Sequence, residues 1–195
     1  MIPMNKDVRK KIFETIEAHK KAIAGIESSI EAIASAAKII TRALKQNGHL
    51  YICGNGGSAA DAQHIASELV GRFERERKPL PAVALTTNTS IVTSISNDYG
   101  YDKVFAKQVD ALVKKGDVLW AISTSGASAN IIAAAKLAKK KGAAVLAFTG
   151  KNNSKLEQVS DICFCANSKS TARSQEIHQL GFHIICGLVE NNFCK

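Results

Sequence analysis

What most constrains this chain is a rhythm. Short, almost wholly apolar runs, LYICG (50–54), AVALT (82–86), DVLWAIS (117–123), AAVLAFTG (143–150) and DICFCA (161–166), alternate with longer stretches of helical period. Runs of this length that do not alternate polar with apolar belong to strands buried on both faces, and helices between such strands give parallel crossovers. The expected helices begin at Ser58, near 89–97, from about 127, as a short one near 154, and over about 171–193. The chain is therefore read as α/β, a doubly wound five-stranded parallel sheet. Ahead of it, residues 5–47 lack proline and carry Ile12, Ile16, Ile23, Ile26, Ile30, Ile33, Ala37, Ile40 and Leu44 at spacings of three, four and seven. That is one helical stripe. It predicts a helical N-terminal arm over 1–47, as one long helix or as two broken near Gly25 to Ser28, on a single domain spanning 1–195.

Composition narrows the function classes. The 195 residues are 46% hydrophobic, enough for a buried core. The five cysteines form neither a CxxC pair nor a zinc-ribbon spacing, so they read as reduced thiols of a cytoplasmic protein. No run approaches the roughly 18 apolar residues of a membrane span, and the charged N-terminus is no secretory leader. The net charge of +9 admits an anionic partner. However, the densest basic run, KLAKKKG (136–142), falls at a helix end before Gly142, where lysines complement the dipole. With no interleaving of aromatics and arginines, nucleic acid is not the expected partner.

In such a sheet ligands sit beyond the carboxyl ends of the strands. Two loops there stand out. After the first strand comes Gly54-Asn55-Gly56-Gly57-Ser58, with Ser58 and Asp61 spaced as a capping box. After the third comes Ser123-Thr124-Ser125-Gly126-Ala127-Ser128, four hydroxyls and a glycine at a helix start. Exposed N–H groups, hydroxyls and a helix dipole form an anion site, most economically for a phosphate. The helix behind the first loop places His64 and Glu68 at i and i+4, on one face. A carboxylate and an imidazole suffice for moving a carbonyl between adjacent carbons through an enediol. The final helix adds Gln175, Glu176, His178 and His183.

GNGGSAADAQHIASEL, AISTSGASANI and RSQEIHQLGFHIICGLVE resemble the sugar isomerase (SIS) domain superfamily and, within it, the phosphoheptose isomerases. The likeness also takes in the N-terminal arm and SNDYGYD (96–102). Ser174, where that family usually has an aliphatic residue, and Asn88, where aspartate is common, depart from it. The resemblance implies an aldose-ketose isomerase acting on sedoheptulose 7-phosphate for a bacterial heptose glycan. It implies one zinc per subunit on His64, Glu68, Gln175 and His183, with Glu68 and His183 catalytic. Substrate would be held by Asn55, Gly56, Gly57, Glu68, Asn97, Asp98, Ser123, Thr124, Ser125, Ser128 and Gln175, in a homotetramer. A second reading comes from a similar bacterial regulator that binds the replication initiator DnaA. That relative lacks the counterparts of Glu68 and His183, which this chain keeps.

Overall fold

The computed structural model describes residues 5–194; of the arm read over 1–47, the first four residues lie outside them. The arm is two helices, α1 (Lys6–Ala24) and α2 (Ile30–Lys45), separated by a 3-10 turn over Ile26–Ser29. The apolar stripe divides there. Ile33, Ala37, Ile40 and Leu44 of α2 are buried, whereas Ile12, Ile16 and Ile23 of α1 stay exposed. α1 is tied to the body by polar contacts instead: His19 Nδ1 lies 2.6 Å from Glu176, and Arg173 donates to the Thr15 carbonyl at 3.0 Å.

Strands β1 (Leu50–Gly54), β2 (Ala82–Ala84), β3 (Val118–Ser123), β4 (Ala144–Thr149) and β5 (Ile162–Cys165) form one parallel sheet in the order β2-β1-β3-β4-β5. Side chains partition with the period of two that a strand dictates. Leu50, Ile52, Val118, Trp120, Leu146 and Phe148 face one core. Tyr51, Cys53, Leu119, Ala121, Val145 and Ala147 face the other. Helices α2, α3 (Gly57–Val70) and α7 (Thr171–Asn191) cover the first face. The second is covered by α5 (Val104–Leu112) and α6 (Ala129–Lys140), with α4 (Thr89–Tyr99) at its margin. The first core is the aromatic one: Phe148 meets Trp120 at 4.9 Å and Phe164 at 4.5 Å between ring centroids. Such pairs add about 0.5–1.5 kcal/mol each beyond area burial.

Two expectations are corrected. No α-helix forms near 154; only a 3-10 turn at Glu157–Val159 occupies the β4–β5 connection, too short to propagate against the cost of nucleation. Ser58 and Asp61 do not make a capping box. α3 starts at Gly57, and the carbonyls of Asn55 and Gly56 already accept its first N–H groups, at 3.0 Å from Ser58 and Ala59. The two family departures are absorbed locally. Asn88 caps α4 by accepting from the Ile91 N–H at 3.0 Å, and buried Ser174 donates to the Ser170 carbonyl at 3.0 Å. Among the described residues no helix is long and apolar enough to cross a membrane.

Candidate active site

From β1 the chain runs outward to β2 on one side, then returns to lay β3, β4 and β5 on the other. The order therefore reverses between β1 and β3, where doubly wound sheets open a ligand crevice. Gly54 pairs with Ile122 in that register, so the loops after Gly54 and after Ser123 lie side by side. They are stitched together. Asn55 and Asn130 exchange amide hydrogen bonds at 2.9 Å in both directions, and the Tyr101 hydroxyl donates to Asn55 at 2.9 Å. Asn55 thus holds the two loops in register. Sequence spacing does not single out Asn130 and Tyr101, because the pairing of β1 with β3 brings Asn130 to Asn55 and the packing of the turn after α4 against α6 brings Tyr101.

The glycines of the first loop have separate reasons. Gly56 has φ of +55°, a left-handed value that a side chain resists. Gly57 lies so close to Gln175 that a Cβ there would meet Nε2 at 2.1 Å. This contact starts a register between α3 and α7, which run side by side: Gln175 against Gly57, then His183 against His64 one step further on. His64 and His183 face each other edge to face at 5.0 Å, and Phe73, just beyond α3, stacks on His183 at 5.6 Å. His64 Nε2 lies 2.8 Å from Glu68 Oε1. One donor atom from each of His64, Glu68 and His183 falls within 4.8 Å of the others. Two imidazoles and a carboxylate, all half-buried, form a donor set suited to a divalent transition metal with a position left open. Gln175 lies at the loop end of the same helix pair.

Electrostatics favours this use. Burial and the neighbouring His64 hold the His183 imidazole below its ordinary pKa, with Glu68 partly offsetting them, so its nitrogen carries no extra proton at neutral pH. Asp61, one turn before His64, is pushed up to about 6 by burial against a smaller opposing effect of His64, and its Oδ2 has no hydrogen-bond partner. His178, the other histidine of α7, is wholly buried, lies 3.0 Å from the Thr149 carbonyl, and is lowered to about 4 by burial. It is a core residue.

The second loop is built from neutral groups. Ser123 Oγ lies 3.0 Å from Ser128 Oγ and 3.3 Å from Ser125 Oγ, and Thr124 stands beside them. Ser128 occupies the N-cap of α6, yet its hydroxyl makes no capping bond. Of the first N–H groups of α6, that of Ile131 already donates to Asn130 Oδ1 at 2.9 Å, and those of Ala129 and Asn130 point outward, as at an anion site. Asn97 and Asp98 are exposed at the end of α4 and bond each other at 2.9 Å; Tyr101, three residues beyond Asp98, sets this end beside Asn55.

The chain thus carries a serine-rich loop at the start of α6 and, between α3 and α7, a His/Glu/His cluster, the parts from which a sugar-phosphate site of the SIS type can be built. The family model for the SIS domain matches residues 14–150. The phosphoheptose isomerase of Roseiflexus sp. (strain RS-1) is 52% identical over 165 residues, 85% of this chain and 84% of that protein. The Aquifex aeolicus phosphoheptose isomerase is 48% identical over 95% of this chain and 96% of its own length. The solved phosphoheptose isomerase of Neisseria gonorrhoeae superposes with a TM-score of 0.90 at 40% identity, covering 94% of this chain and 99% of that one. The Francisella tularensis structure gives 0.91 at 37%, covering 96% and 100%. The chain belongs to the SIS-domain family and, within it, to the phosphoheptose isomerases.

Proposed function

We propose that the chain interconverts sedoheptulose 7-phosphate and D-glycero-D-manno-heptose 7-phosphate in the cytoplasm, as one SIS domain per subunit, feeding a heptose glycan. The observation that carries this is the convergence of His64, Glu68 and His183 between α3 and α7, together with an α6 N-terminus whose serine does not cap it. The phosphate binds Ser123, Thr124, Ser125 and Ser128, where hydroxyls and N–H groups replace its water. Asn55, Gly56 and Gly57 shape the wall against which the sugar lies, with Asn97, Asp98 and Gln175 completing it. Glu68 takes a proton from C1 of the open-chain ketose; the C1–H electron pair becomes the enediol double bond as the C2 oxygen gains a proton. Glu68 then returns its proton to C2 while O1 gives one up, leaving the aldehyde, so no oxidant is needed. His183, held neutral, exchanges the oxygen protons.

Zinc held by His64, Glu68, His183 and Gln175, one per subunit, would supply Lewis acidity for the carbonyl and the developing enediolate charge. The exposed Ile12, Phe13 and Ile16 of α1 support a homotetramer in which this stripe meets other subunits. Light scattering at micromolar concentration would overturn that part by giving the monomer mass, 20.8 kDa. The decisive experiment is a coupled assay of sedoheptulose 7-phosphate conversion by purified protein. Turnover supports the proposal, and absence of turnover together with DnaA binding would replace it with the regulator reading.

A further inference from the structure

Seven residues beyond His183, two turns along α7, Glu190 is buried to 1% exposure. An acidic residue in the helix core needs compensation, and here it is complete. The Glu190 carboxylate accepts from the backbone N–H groups of Phe73 at 2.9 Å, Glu74 at 2.8 Å and Arg75 at 2.9 Å. The fully buried Arg77 side chain brings Nε to 3.4 Å, an ion-pair contact. Burial works to raise the Glu190 carboxyl, but the three N–H donors and Arg77 outweigh it and keep it ionised. Arg77 faces the other way as well. Its guanidinium donates to the carbonyls of Glu68 at 2.7 Å, Leu69 at 2.8 Å and Gly71 at 2.9 Å, the last turn of the helix that carries His64 and Glu68.

One ion pair therefore joins the end of α3 to the end of α7, and the loop that it folds down carries Phe73 onto His183. A stabilising pair could sit anywhere. This one grips the main chain of a cluster residue, Glu68, on one side and orients the ring over another, His183, on the other. We propose that the Glu190–Arg77 pair is a positioning brace that sets the separation of α3 and α7 at the His64–Glu68–His183 cluster. The proposal rests on reading that cluster as the metal and catalytic site.

The test measures zinc affinity of the full-length protein by competition with a chromophoric chelator, alongside inhibition by inorganic phosphate. Glu190→Gln sets an amide N–H against donors that need an acceptor. It should weaken zinc by at least about tenfold, the low end for losing a partner behind the ligands, and leave phosphate inhibition within about twofold. Leu119→Ala, in the core on the other face of the sheet, serves as the destabilised control and should keep wild-type zinc affinity. Equal losses in both variants, or none in Glu190→Gln, would overturn the brace. Should Glu190→Gln fail to fold, Phe73→Leu decides: it spares the ion pair, removes the ring from His183, and should weaken zinc by roughly threefold. Unchanged affinity there counts against the proposal. A wild type that takes up no zinc sinks the metal reading instead. The brace then stands on kcat falling at least about tenfold in Glu190→Gln with KM within about twofold, and falls if KM moves as much as kcat.

Discussion

The two parts of the proposed site solve different electrostatic problems with different materials. The hydroxyl loop, six consecutive residues at the end of β3, offers neutral donors and a helix start that Ser128 does not cap, materials suited to a dianion without a buried charge of their own. The α3/α7 half assembles two imidazoles and a carboxylate from positions 64, 68 and 183. It needs a frame because its groups repel or neutralise one another unless their spacing is held. The lesson is that a local loop positions its groups through its own backbone, whereas a site built across two helices depends on what locks the helices together.

Turnover and binding should separate along this line. The largest effect is expected from Glu68→Gln, which keeps the shape but removes the proton acceptor: kcat should fall at least about a hundredfold while the fold stays intact. Retention of more than a tenth of the wild-type rate would reduce Glu68 to a positioning role. Chelation comes next. Removing a Lewis acid should cost at least about thirtyfold in rate, with restoration by added zinc and only a modest shift in thermal unfolding. Collapse of the fold on chelation would mark the metal as structural.

The histidines of α7 extend the contrast, since His178 is core and half-buried His183 meets the His64 ring. With His178 lowered to about 4 from 6.5, the unfolded chain binds the proton first as pH falls. The stability that neutral His178 contributes is thus fully present above about 6.5 and is lost on the way down to about 4. Relative to His178→Gln, the wild type should lose on the order of 2 kcal/mol of unfolding free energy between pH 7 and pH 5. Asp61, raised to about 6, acts in the opposite direction in both proteins and cancels from the difference. Equal pH profiles in denaturant titrations would refute the assignment. Ser128→Ala should produce the smallest change: KM for the sugar phosphate rising roughly tenfold, as for a lost hydrogen bond to a charged group, with kcat nearly constant. A fall in kcat instead would move Ser128 out of the anion loop.

Much of this was legible in the residues. Strand runs without alternation required a sheet covered on both sides, and Ser123 to Ser128 could be placed at a strand end because the loop is contiguous. His64 and Glu68 could be paired from helical spacing alone. The stripe on α1 and α2 was legible as a pattern but not in its fate, since it is buried in α2 from Ile33 onward while Ile30 and the isoleucines of α1 stay exposed. The capping box at Ser58 and Asp61 fits sequence rules, but the glycine loop had already turned the chain and satisfied the first N–H groups through backbone carbonyls.

The sequence by itself determined the layer architecture, the two loops and the chemistry available at each, because those depend on periodicity and on neighbours a few residues apart. Only the tertiary structure decided that His178 lies wholly in the core, that Asn55 pairs with Asn130, and that Glu190 closes on Arg77. The physical reason is separation along the chain. Glu190 lies 117 positions from the Phe73 N–H that it accepts, and a lone glutamate near the end of an apolar helix carries no local mark of the partners that make its burial tolerable.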